Sequence, residues 1–171
     1  MQMAPATETS VVSLRPPAHR VSGRAFPYWA TRAAAGWLVL LGIQIVWLLL
    51  SHDTGALRVS ILVGTVALAV LHVSVMPLWR YRVHRWEATP EAVYTQSGWF
   101  NRTWRIAPVS RIQTVDSHRG PWEQVFGLAN VTVTTASAAG PIKIEGLDNH
   151  TAQQLIDELT ANTQATPGDA T

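Results

Sequence analysis

The sequence predicts an α+β membrane protein: a two-helix transmembrane hairpin, then an antiparallel β-sheet closed by a C-terminal α-helix. Three observations predict it. Two long apolar runs carry no charge, the hydrophobic period changes from helical to alternating at about Arg80, and one amphipathic helical pattern follows the alternating segments. Composition agrees, since charged residues make up 14% of the 171, against about 25% in ordinary soluble domains. The chain has no cysteine, which excludes disulfides, thiol nucleophiles, iron–sulfur clusters and Cys-ligated zinc. A formal charge of +2 gives no reason to expect a nucleic-acid partner.

Residues 1–24 hold Pro5, Pro16, Pro17 and several Ser and Thr, and read as a disordered tail. The hairpin occupies 25–79. Its first span, Ala33 to Leu50, has Gln44 as its strongly polar side chain, and its second runs from Val59 to Trp79. Each is near the ~20 residues needed to cross ~30 Å of hydrocarbon. The competing reading, two buried helices of a soluble bundle, is disfavoured because such helices keep a polar face. The connector Ser51–Arg58 is short enough to force an antiparallel pair. Arg15, Arg20, Arg24 and Arg32 precede the spans and Arg80, Arg82 and Arg85 follow them, while the connector holds Arg58. Arginine asymmetry therefore puts both termini in the cytoplasm and the protein in the cytoplasmic membrane. Tyr28, Trp29, Trp47, Trp79 and Tyr81 fit an aromatic belt. A cleaved signal peptide is not expected. On this topology the sequons at Asn101, Asn130 and Asn149 are accidental.

Depth along the hairpin follows from 1.5 Å per residue. Gln44 falls about 9 Å inside the outer turn, level with Gly64 and Thr65, and His72 about 21 Å inside, level with Gly36 and Trp37. Gln44 is expected to face Gly64 or Thr65 across the hairpin, the glycine permitting close approach and the threonine hydroxyl able to accept an amide hydrogen, and His72 to sit beside Gly36.

Residues 80–162 form the cytoplasmic domain. Alternation marks strands from about Val83, then Ala92–Ser97, Arg102–Pro108, Arg111–His118, Asn130–Thr135 and around Ile142–Ile144. Pro121 opens a short helix whose buried face would be Trp122, Val125 and Phe126, with Trp122 partly exposed. Asp148 or Asn149 caps a last helix burying Ala152, Leu155, Ile156 and Leu159. The expected core is Trp104, Ile106, Ile112, Val115, Val131, Val133, Ile142, Ile144, Leu155 and Leu159. Residues 163–171 read as a second disordered tail.

Several pieces of this domain resemble the bacterial pleckstrin-homology (PH) domains of the membrane-flanked YdbS-like type. They are Pro108–Val115 (PVSRIQTV), Gly120-Pro121 leading to Phe126-Gly127-Leu128-Ala129, and Gly146-Leu147 before the last helix. The resemblance covers roughly Trp79–Ala161, and the preceding helix pair is typical of the family. Trp122 departs from it, standing where leucine is common. The resemblance implies a PH-like bent sheet or partial barrel plugged by the final helix. It implies no activity.

No catalytic, metal or cofactor site is read from the residues. His52, His72, His84, His118 and His150 have no ligand spacing and no accompanying carboxylate cluster. Asp116 and His118 are merely neighbours on one strand face, without a nucleophile elbow. Charge is more informative. Arg80–Arg119 carries seven arginines against three acids, whereas Gly120–Thr171 carries one lysine against six acids. Positive-inside topology accounts for Arg80, Arg82 and Arg85. It does not account for Arg102, Arg105, Arg111 and Arg119, which with Trp122 are the candidate lipid or partner contacts. Gln44, Thr65 and His72 are the intramembrane polar residues.

Three functions compete. The first is a non-enzymatic membrane-anchored module for protein–protein assembly, with another membrane protein or a second copy of itself as partner. The second is anionic-lipid headgroup sensing through the basic half. The third is a subunit of a small transporter or membrane enzyme built around Gln44 and His72, and two helices alone cannot enclose its path.

Overall fold

The computed structural model describes residues 15–51, 55–98 and 100–165. The expected tails at 1–14 and 166–171 lie outside the described residues. Helix α1 (Ala25–Leu50) and helix α2 (Ala56–Val83) form an antiparallel pair. At 1.5 Å per residue they are about 39 and 42 Å long, so both extend beyond a 30 Å hydrocarbon layer. α1 begins eight residues before the uncharged run. Pro27 sits in its first turn, where a missing N–H costs nothing. α2 continues through Pro77 to Val83, and His84 N–H still donates to the Arg80 carbonyl. The alternation expected from Val83 therefore begins later. Leucines and valines cover the outside of the pair, while Thr65 and Ala69 are buried within it.

The domain has two antiparallel sheets that do not close into a barrel. The first has the order β1 (His19–Arg20), β2 (Arg85–Ala88), β3 (Ala92–Ser97), β4 (Thr103–Pro108). The second has β5 (Ile112–His118), β6 (Leu128–Thr135), β7 (Ile142–Asp148). A single 3-10 turn, Val109–Arg111, joins β4 to β5. Helix α3 (Pro121–Phe126) precedes β6, and helix α4 (Asn149–Ala165) follows β7. Asp148 caps α4, its Oδ1 accepting from His150 N–H at 3.1 Å. Leu155 and Leu159 of α4 complete a core with Val93, Val131, Val133, Ile142 and Ile144.

Three expectations are corrected. Residues 17–24 are not a loose tail. His19 and Arg20 pair with Trp86 and Arg85, Val21 is buried, and Ser22 N–H donates to the Gly146 carbonyl at 2.9 Å. A segment preceding the hairpin thus supplies a strand to a sheet that follows it. Trp104 and Ile106 are not core, being 42% and 45% exposed. β4 is the last strand of its sheet, and the core takes Ala107 from its opposite face. In α3, Val125 is 79% exposed and Glu123 is 8% exposed. The helix turns toward α1, so Glu123 and Phe126 face inward. Trp122 is half-exposed, as expected.

Candidate functional site: the helix–domain junction and the open β4 edge

The junction starts with backbone constraints. Gly146, at φ +77°, lies against α1, and a Cβ there would stand 2.8 Å from the Ala25 Cβ. Gly127, at φ +65°, ends α3 in the left-handed conformation that glycine adopts freely. These two glycines allow the first turns of α1 to sit against β7 and α3. Val21, Ala25, Tyr28, Trp29 and Leu128 fill the resulting seam, with Tyr81, Trp86 and Phe126 around it.

A polar network crosses this seam. Tyr28 Oη donates to Glu123 Oε1 at 2.8 Å, and Arg32 Nη1 donates to Tyr28 Oη at 3.1 Å. Asn130 Nδ2 donates to the same Glu123 oxygen at 3.1 Å, while its Oδ1 accepts from Gly146 N–H at 2.9 Å. Burial alone would raise the Glu123 carboxyl. Hydrogen bonds from Tyr28, its own backbone N–H and Asn130 outweigh burial and hold it below the ordinary carboxylate range. Arg80 pairs with Glu145 and lies 4.5 Å from the Trp29 ring centroid. The His84 ring lies tilted against Trp29, centroids 5.1 Å apart, and donates from Nδ1 to the Arg80 carbonyl. Burial, reinforced by the Arg80 charge, lowers its imidazole below the usual value.

In the sequence Tyr28 and Trp29 read as belt aromatics, Asn130 as a sequon at the start of a strand, and Glu123 and Glu145 as counted charges, none of them as a site residue. The signal that could have found Glu123 is an acid three residues before Phe126 on one turn of helix.

The expected site residues are dispersed. Gln44 Nε2 donates to Thr65 Oγ1 at 2.9 Å. His72 meets Trp37, the neighbour of Gly36, whose Nε1 donates to His72 Nδ1 at 3.0 Å. Arg85 donates to the Pro17 carbonyl, Arg119 to that of Leu128, and Arg105 to those of Ala139 and Pro141. Arg102 lies 5.9 Å from the Trp79 ring centroid. Arg82 and Arg111 are exposed. Arg80, Arg85, Arg105 and Arg119 are thus each engaged within the chain. Among the described residues no three His, Asp or Glu side chains form a metal-binding group.

The second feature is open and apolar. Trp104 and Ile106 line a groove of about 250 Å³ between β4 and the β6–β7 turn. Arg105 fixes that turn by donating to the carbonyls of Ala139, Gly140 and Pro141. One edge of β4 has no strand neighbour among the described residues.

Two apolar helices docked by a polar seam onto split antiparallel sheets, with a helix plugging them, define a membrane protein with a PH-like module. The comparisons agree. A family model described as bacterial PH domain matches residues 31–163, and the chain belongs to that family. It is 31% identical over 101 residues to the UPF0699 transmembrane protein YdbS of Bacillus subtilis (strain 168). That alignment covers 59% of this chain and 62% of YdbS, so the chain spans less than two thirds of that relative's length. No solved structure matches the chain.

Proposed function

We propose that the protein is a non-enzymatic, membrane-anchored PH-like module that assembles with another membrane protein at the inner face of the cytoplasmic membrane. The observation that carries this reading is the β4 edge, where exposed Trp104 and Ile106 flank a groove on a strand paired only on its β3 side among the described residues. An edge strand offers a row of backbone donors and acceptors, and flanking apolar side chains supply specificity to an added strand. The orientation rests on the arginine asymmetry. Sensing of anionic lipid by the basic half is less supported, because Arg85, Arg105 and Arg119 are committed to backbone carbonyls and Arg80 to Glu145.

The test is a photo-crosslinking residue placed at Ile106 in the full chain in its native membrane. A discrete adduct that Trp104→Ser removes supports the reading. Adducts no stronger than those from exposed Gln113 refute it. For orientation, Thr54→Cys should react with an impermeant thiol reagent in intact cells and Ser97→Cys should not.

A further inference from the structure

A cavity of about 370 Å³ lies where the two helices meet the domain, within the range of small-ligand sites. Its walls change character along its length. Ala33 and Met76 contribute apolar surface and His72 an imidazole from the helices, while Arg32 and Arg80 of the helix ends and Glu123 and Glu145 of the domain supply the charges. Two guanidinium groups and two carboxylates give the polar side a formal charge of zero. A lone phosphate there would face both carboxylates, and a lone cation would face both guanidinium groups. A ligand with both charges and an apolar tail matches all three walls.

The depth of the cavity is that of lipid headgroups. α1 exceeds the hydrocarbon thickness by about 9 Å, or about six residues at 1.5 Å each, which puts the boundary near Ala30, between Tyr28 and Arg32. The four charges are not equivalent. Glu123 is buried and already accepts from Tyr28 and Asn130. Arg80 engages Glu145 through Oε2, so Oε1 can accept from an ammonium. Arg32 is exposed at the rim and donates from Nη1 to Tyr28, which leaves its other N–H groups to meet a phosphate.

We propose that this cavity holds the headgroup of a zwitterionic phospholipid with a primary ammonium, of the phosphatidylethanolamine class. The phosphate lies against Arg32, and the ammonium donates to Glu145. A trimethylammonium headgroup has no N–H to donate, and Trp29, the aromatic wall that could face it, is covered by Arg80. The site is separate from the β4 edge and does not depend on its having a partner.

The experiment is native mass spectrometry of the full chain from nanodiscs of phosphatidylcholine containing equimolar phosphatidylethanolamine and phosphatidylglycerol with identical acyl chains. Retention of phosphatidylethanolamine over phosphatidylglycerol by about tenfold is expected, the size of one charge-assisted hydrogen bond. Glu145→Gln keeps an acceptor for Arg80, removes the negative charge, and should bring the two lipids to parity. Ala33→Phe fills the cavity without touching a charge and should abolish retention of both, which keeps the proposal testable if Glu145→Gln does not fold. Equal retention by the unaltered chain overturns the proposal, as does an unchanged preference in Glu145→Gln or undiminished binding in Ala33→Phe. Retention of free phosphoethanolamine by lipid-free protein in detergent, at the level seen for the lipid, overturns the assignment to a membrane lipid.

Discussion

The helix–domain junction and the β4 edge differ in almost every physical respect. The junction is polar and internally bonded: Tyr28, Arg32, Glu123 and Asn130 satisfy one another across three elements. The β4 edge is open and apolar, with Trp104 and Ile106 exposed beside unpaired backbone. A polar network with fixed geometry specifies one orientation, because each misplaced member leaves a buried group unpaired. An exposed apolar edge specifies nothing by itself and gains only when something covers it. The junction therefore holds the domain against the helices, and the edge is where the proposed partner would add.

The largest expected effect breaks the junction. Gly146→Val forces a side chain into Ala25 at a φ that valine resists, and should cost roughly 2–4 kcal/mol. Thermal unfolding in detergent measures it, and a change below about 0.5 kcal/mol, ordinary for a surface position, would mean that α1 does not rest on β7. Glu123→Ala should follow at roughly 1–3 kcal/mol, since it leaves Tyr28 and Asn130 without their acceptor.

Acid sharpens the same contrast. The His84 imidazole is lowered in the folded protein, so the unfolded chain takes the proton first and stability falls as pH drops below about 6.5. The Glu123 carboxyl is also lowered, so its stabilisation is present above about 4.5 and is lost as pH falls through the folded value. Unfolding temperature against pH should therefore decline in two windows. His84→Gln should flatten the upper window and leave the lower one.

Smaller effects come from outside the seam. Gln44→Leu removes one interhelical hydrogen bond, on the order of 0.6 kcal/mol, read from unfolding in detergent. Ile106→Ser at the β4 edge should change stability by less than about 0.5 kcal/mol while reducing partner capture in membranes. A large stability loss there would place Ile106 in the core after all.

Local pattern made much of this legible. Uncharged runs of sufficient length declared α1 and α2, because every residue of a lipid-facing helix meets the same solvent. Helix depth is a linear count, so Gln44 could be placed level with Gly64 and Thr65 from numbers alone, and the structure selects Thr65. The face of α4 was readable because the 3.6-residue period is written within the element, and Leu155 and Leu159 are buried as that period requires. The motifs that carried the family resemblance include Gly127 and Gly146, and both prove to be contacts with the start of α1 or the residue before it.

What only the tertiary structure decided depends on partners distant in sequence. Alternation in β4 showed two faces and could not say which meets the core. The open edge exposed Trp104 and Ile106 and gave the core Ala107. In α3 one turn is too short for a period to choose a side, and Tyr28, 95 residues earlier, selected Glu123. Two residues of backbone pairing, His19 with Trp86 and Arg20 with Arg85, carry almost no local signal, because a strand exists only when its neighbour does. The same reason hid the cavity: Arg32, Arg80, Glu123 and Glu145 are scattered charges in the sequence, and become one neutral site only when α1 lies on β7.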